Sequence, residues 1–191
     1  MIRRALSIAF LAVVAAAPLA AQHPNTRQGF WISLGVGGGS VGANCQSCPT
    51  DRTNGGSGYI RLGGTLSPIL QLGGESNGWF HSGGGVDESM GFASFIANIY
   101  PSRTGAFFLK VGIGGMSYRA DDGASVLTAT APSGSLGAGY DIRVGRNFSL
   151  TPFINSLATS AVSFKLNGVT VPSTEDFKMN MVQFGLGFTW H

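Results

Sequence analysis

Charge is scarce in this chain. Only 11% of its 191 residues are Asp, Glu, Lys or Arg, against roughly 25% in an ordinary soluble domain. That shortfall excludes a conventional water-facing surface. Long apolar runs are missing too: beyond the first two dozen residues nothing approaches the ~20 consecutive apolar positions a membrane helix requires. Histidine is limited to His23, His81 and His191, and cysteine to Cys45 and Cys48, which leaves little material for acid–base, acyl-transfer or metal chemistry. The formal charge of +3 includes Arg3 and Arg4 at the extreme N-terminus. No basic stripe occurs elsewhere, so the electrostatic footprint of a nucleic-acid binder is absent. A chain too apolar for water and without a spanning helix has one remaining way to satisfy its backbone in hydrocarbon, a closed β-barrel.

The first residues read as a secretory signal. Arg3 and Arg4 precede an apolar stretch from Ala5 to Ala17, which closes with Pro18, Leu19, Ala20 and Ala21 before Gln22. This is the three-part pattern of a cleaved leader, with an apolar part too short to span comfortably. Small-residue preference puts cleavage after Ala21, with Ala20 the alternative, and no Cys follows to carry a lipid anchor. The expected organisation is a signal peptide over 1–21 and one domain over 22–191.

From Gly29 onward apolar residues recur at every second position, the period of a strand with two unlike faces. The spacing predicts eight strands. Phe30, Ile32, Leu34 and Val36 share a face in the first, Ile60, Leu62 and Leu66 in the second, Leu70 and Leu72 in the third. Ala93, Phe95, Ala97 and Ile99 do so in the fourth, Phe107, Leu109, Val111 and Ile113 in the fifth, Leu136, Ala138, Tyr140 and Ile142 in the sixth. Phe148, Leu150 and Ile154 form the seventh set; Val182, Phe184, Leu186, Phe188 and Trp190 form the eighth. Pro152, inside the seventh strand, lacks a ladder donor and predicts a bulge.

Composition assigns the faces. The face opposite the apolar one holds Gly, Ser, Thr, Gln and single charges, too little charge for a water-exposed exterior but suited to a narrow interior. An apolar outside with a polar inside is the membrane-barrel arrangement. Connections after the second, fourth and sixth strands are short, and those over about 40–57, 81–89, 119–132 and 156–176 are long and polar, the alternation of an up-and-down barrel. A hairpin hidden in the last of these would raise the strand count to ten. Aromatic belts are expected at Phe30, Tyr100, Phe107, Phe148, Phe188 and Trp190 below, and at Tyr59, Trp79, Phe80 and Tyr118 above.

The last strand, from Gln183 through Gly185 and Phe188 to Trp190, resembles the C-terminal assembly signal of bacterial outer-membrane proteins. Its pattern is polar, x, Gly, x, x, hydrophobic, x, hydrophobic; His191 departs from it, because the family usually ends on the aromatic. With the leader and the strand count, the chain resembles the small OmpA/OmpX-type outer-membrane barrels. The resemblance implies an all-β, eight-stranded antiparallel up-and-down transmembrane barrel with no periplasmic domain. It also implies recognition of the last strand by the barrel assembly machinery.

Candidate chemistry is sparse. Cys45 and Cys48 form a CxxC in the first long loop; in an oxidising compartment such cysteines pair, and no further metal ligands lie nearby in sequence. Arg61, Glu75 and Lys110 all fall on the inner face, each about seven residues from a short turn, so they are expected at one height as an interior charge network. Arg61 and Glu75 would sit directly opposite if the turn centres on Pro68. The alternative is a gate or ion path. His81 with Ser82 stands at a height where lipid A-modifying enzymes act, without a carboxylate partner in sequence. The run Gly35–Ser40 lacks the Lys and helix of a phosphate loop, and Asp121–Asp122–Gly123 reads as a solvated turn. No catalytic set, metal or cofactor is indicated. The expected role is a structural or surface-interaction barrel whose four external loops meet lipopolysaccharide or a surface partner, the alternatives being a narrow pore and, third, a lipid-modifying enzyme.

Overall fold

The computed structural model describes residues 27–44, 52–160, 162–171 and 177–191. The leader region 1–21 and both cysteines, Cys45 and Cys48, lie outside them. The chain forms a closed antiparallel barrel of eight long strands: β1 (Gly29–Asn44), β2 (Arg52–Ser67), β3 (Leu70–Gly83), β4 (Val86–Ile99), β5 (Phe107–Asp121), β6 (Val126–Tyr140), β8 (Phe148–Thr159) and β11 (Lys178–Trp190). Three short pieces complete it: β7 (Ile142–Arg143), β9 (Ser163–Leu166) and β10 (Val169–Val171). Each long strand pairs with its sequence neighbours, and the wall closes where β1 meets β11, from Ile32 opposite Trp190 to Asn44 opposite Lys178. The end where β1 starts and β11 finishes is called lower here, the other upper.

Alternation decides the faces as expected. Val36, Phe95, Ile113 and Phe184 are 70%, 81%, 74% and 65% exposed and belong to an apolar belt that circles the wall. Their inward neighbours, such as Gln71, Lys110, Asn155 and Gln183, are buried. Leaving a side chain of this size in water forgoes about 1.5–3 kcal/mol, and a contiguous belt of them marks a surface whose solvent is not water.

Four expectations need correction. The upper connections are mostly strand: β3 and β4 run on to a two-residue turn at Gly84 and Gly85, whose positive φ values of 63° and 81° match the twist of a tight hairpin. Likewise β5 and β6 leave only 122–125 between them. Strict short–long alternation therefore fails, because the ladder continues into polar sequence that carries no hydrophobic period. Second, the last upper loop does contain a hairpin, β9–β10, turning at Asn167 and Gly168 with φ of 48° and 83°. It extends β6, pairing from Leu127 opposite Leu166 to Thr130 opposite Ser163, and does not enlarge the barrel. Third, Pro152 causes no bulge: its register with β11 is continuous. The ladder on its other side is interrupted instead, and that gap, from Tyr140 to Ile142, divides β6 from β7. A missing N–H costs a rung there, not a shift of register.

The fourth concerns aromatics. Phe30, Phe107, Phe148, Phe188 and Trp190 do face outward below. Tyr100 is buried, Tyr59 and Trp79 are buried inside the barrel, and Tyr118 is half-buried toward the interior, which leaves Phe80 of the expected upper set on the outer wall.

Candidate functional site

The interior is stratified, and its middle layer brings together Arg61, Glu75 and Lys110. The register shift beside Pro68 comes after Thr65, so Arg61 and Glu75 stand directly opposite across β2 and β3. The Arg61 Nε donates to Glu75 Oε2, and the Lys110 Nζ, arriving from β5, lies 2.6 and 2.7 Å from the two carboxylate oxygens. All three side chains are at most 2% exposed. Arg61 also donates to Asn155 Oδ1 at 3.2 Å and lies over the Tyr59 ring, 3.7 Å from its centroid. Asn155 in turn donates to Gln183 Oε1 at 2.9 Å. Two cations on one carboxylate leave the layer with one positive charge in excess, spread over a ring face and an amide chain rather than water.

A lower layer seals the end near the short turns, built largely from residues beyond the strand ends. Arg27 spans the opening, donating to the carbonyls of Pro68, Arg103 and Gly105 while its guanidinium lies 3.3 Å above the Tyr100 ring. Tyr100 donates to Asp141 at 2.9 Å, and Thr151 donates to the other Asp141 oxygen at 2.8 Å. From Thr151 the hydroxyls of Thr189, Ser33 and Tyr59 continue the chain at 3.0, 2.8 and 3.2 Å, up to the ring beneath Arg61. Alternation along the sixth strand already turns Asp141 inward, opposite Tyr140 and Ile142, whereas Arg27 and Tyr100 lie beyond the strand ends, where the period says nothing of where they point. His191 closes this layer, its Nε2 3.8 Å from Asp141. Burial holds its imidazole below the ordinary value, assisted by Arg27 and Arg143 and opposed by Asp141.

The upper layer is apolar: Val41, Trp79, Met90, Phe92, Met116, Leu157, Met179 and Met181 pack together, with Tyr118, Phe164 and Phe177 against them. The remaining candidates do not assemble into chemistry. His81 turns inward, stacking on Trp79 and meeting the Asn54 carbonyl through Nδ1 at 2.9 Å; Ser82, one residue on, hydrogen-bonds Asp87. Adjacent strand residues point to opposite faces, so His81 and Ser82 do not form a dyad. Asp121 and Asp122 accept backbone N–H groups of their own turn, and Asp121 pairs with Arg119. Among the described residues no group of three His, Cys, Asp or Glu side chains could hold a metal ion.

The four positions of the last strand that resemble the assembly signal divide by face. Gln183 and Gly185 are inside, Phe188 and Trp190 outside. Gly185 faces Gly37 at the closing seam, where a Cβ would come within 2.2 Å of the Val36 carbonyl oxygen. A single closed antiparallel sheet, an apolar outer belt and a plugged polar interior now stand together.

No family model matches the chain, and no curated protein matches it. Solved structures do. The chain is similar to Neisserial surface protein A at 14% identity and a TM-score of 0.60, covering 84% of this chain and 96% of that one. It is similar to Ail, the attachment invasion locus protein of Yersinia pestis, at 14% identity and a TM-score of 0.50, covering 85% and 99%. The fold is that of the small eight-stranded outer-membrane β-barrels. In an eight-stranded barrel the lumen is just wide enough for side chains, and here side chains fill it. Phe108, Ile96 and Met116, among the large inward residues of β4 and β5, are each 3–4% exposed.

Proposed function

We propose that the protein is an integral outer-membrane barrel, closed to solutes, that serves as a rigid scaffold for a surface-exposed rim. The observation that carries this is the filled interior within an apolar exterior: Ser149, Gln183 and Met181, taken from the lower to the upper interior, are each 0% exposed. A chain inserted this way would reach its place through the leader over 1–21 and present the lower end to the periplasm. The strands continue past the belt into outward polar residues, among them Ser89, Ser117, Arg119, Thr128 and Thr130. That raised wall offers rigid surface to lipopolysaccharide or to a partner outside the cell.

Two cations stand where outer-leaflet phosphates would be. Arg52 and Lys178 are exposed on the outer face just above Val182, and Arg52 hydrogen-bonds Ser40 and Asn180, with no carboxylate partner among the described residues. Arg52 suits phosphate because its planar fork can donate twice. Lipopolysaccharide retained by the purified barrel should fall when Arg52 and Lys178 are both changed to Ala. Recognition of the last strand by the assembly machinery belongs to the same reading. Phe188→Ala with Trp190→Ala should lower assembly in cells while leaving refolding in detergent intact. Pairing of Cys45 with Cys48 would leave no titratable thiol in unreduced protein.

Membrane fractionation with heat-modifiable gel mobility tests location and barrel together, and planar-bilayer recording tests closure. The expected results are an outer-membrane fraction, a mobility shift on boiling and no stable current. Recovery as a detergent-free monomer would refute the membrane reading, and a resolvable steady conductance would refute the plug.

A further inference from the structure

At the upper mouth, in the top of the apolar layer, lies a cup of about 210 Å³. Trp79, Tyr118, Phe164, Phe177 and Met179 line it, with Phe164 and Phe177 edge to face at 4.9 Å. Glu88 is its charged member, half-buried, and its carboxylate accepts a hydrogen bond from the Tyr118 hydroxyl. No ion pair joins Glu88 to a cation among the described residues. The reason is strand alternation. Thr53, Tyr118, Phe164 and Met179 line the cup, and Arg52, Arg119, Lys165 and Lys178 are their chain neighbours, so all four cations are turned to the outer face. Directly across β3 from Glu88 is His81, its ring already stacked on Trp79 and bonded to Asn54; across β5 is Ala120.

We propose that this cup binds a small organic cation of the quaternary or alkylated ammonium class. A carboxylate among aromatic rings attracts positive charge twice, by its own charge and by the ring faces. A cation centred in a cavity of this size lies within the ~6 Å over which a ring face acts. The other ligand classes fit worse. An anion meets Glu88. A neutral apolar molecule strips water from that carboxylate and returns nothing. A hard metal ion wants six or more oxygen ligands, and the described lining offers side-chain oxygens from Glu88, Tyr118 and Thr53 alone. The inference goes beyond the scaffold reading and does not depend on closure of the lumen below, since the cup opens at the upper end of the interior filling.

The test is calorimetric titration of the full-length barrel, folded in a maltoside detergent free of amine-oxide and choline headgroups. The probes are choline and its uncharged isostere 3,3-dimethylbutan-1-ol. Choline should give saturable heat, and both the alcohol and the Glu88→Gln barrel should show at least about tenfold weaker binding, the effect of one charge-assisted contact. Phe164→Leu, on the short hairpin outside the barrel wall, should weaken choline and leave the alcohol unchanged, because it keeps apolar bulk and removes a ring face. Heat-modifiable mobility reports whether each variant is folded. The proposal is overturned if choline gives no saturable heat up to about 10 mM, a concentration that already admits contacts of only a few kcal/mol. It is equally overturned if the alcohol binds as well as choline, or if both variants bind choline like the parent.

Discussion

Replacing Glu75 by Gln changes one atom type and removes the one negative charge that the described residues place in the middle layer. Two cations, Arg61 and Lys110, then face each other with side chains at most 2% exposed. The amide keeps one acceptor, so one hydrogen bond survives, but its remaining N–H groups point donors at a lysine and a guanidinium. Breaking a buried ion pair by removing one partner costs about 3–5 kcal/mol, and the retained acceptor puts Glu75→Gln near the lower end of that range. The wall itself is held by ladders on both sides of β3, unbroken around Glu75 from Gln71 to Phe80, so the variant should still form a barrel that melts earlier. The assay is urea titration of barrels in lipid vesicles, read by the fraction that runs as the compact unboiled form. Adding Lys110→Met removes the second cation at similar volume and leaves Arg61 with Asn155 and the Tyr59 face. The double variant should regain at least about 1 kcal/mol of the loss, a coupling expected of contacting residues. A loss below about 1 kcal/mol for Glu75→Gln, the worth of an exposed pair, would refute the sealed layer and with it the plug.

Three further outcomes follow from the geometry. Val111→Arg, outward in the belt, should cost ~2–4 kcal/mol, and Ser117→Arg, outward on the same strand above the belt, only ~0–1 kcal/mol; equal costs in vesicle refolding would overturn the depth assignment. Gly185→Ala drives a methyl to within 2.2 Å of the Val36 carbonyl oxygen and 2.8 Å of Gly37 Cα. It should destabilise the β1–β11 closure by about 1–3 kcal/mol or more, measured as a lower melting temperature of the compact form. Because the folded imidazole of His191 titrates below the ordinary histidine value, the unfolded chain takes up the proton first as pH falls. The contribution of His191 is therefore present above pH ~6.5 and lost as pH drops through that value toward the folded one. His191→Gln should flatten the pH dependence of stability between about pH 7 and 5; an unchanged slope would show the imidazole to be solvated.

The strand faces were legible because alternation is a local property: Leu109 and Lys110 must part ways whatever the rest of the chain does. The interior triad was legible for the same reason, with residue counts from the turns supplying the height. Local pattern misled wherever the apolar period stopped. Polar extensions of β3 through β6 read as loop, although their ladders continue, because a strand above the belt is no longer selected for an apolar face. The Asn167–Gly168 pair between Leu166 and Val169 was a hairpin signal in plain view, weakened by flanking runs too short to show a period. Aromatic residues near strand ends were read as belt members by position, whereas parity already turned Tyr59 and Trp79 inward.

Sequence by itself determined the barrel, its apolar and polar faces and the side of the wall on which each strand residue falls, since composition and period two are fixed before any contact forms. Tertiary structure alone decided what meets across the lumen. Arg27 reaching Gly105, Asp141 receiving Tyr100 and Thr151, and Glu88 left among aromatic rings all join distant segments. Those meetings depend on where the sheet closes and how each strand is staggered, and closure is a property of the whole wall rather than of any stretch of it.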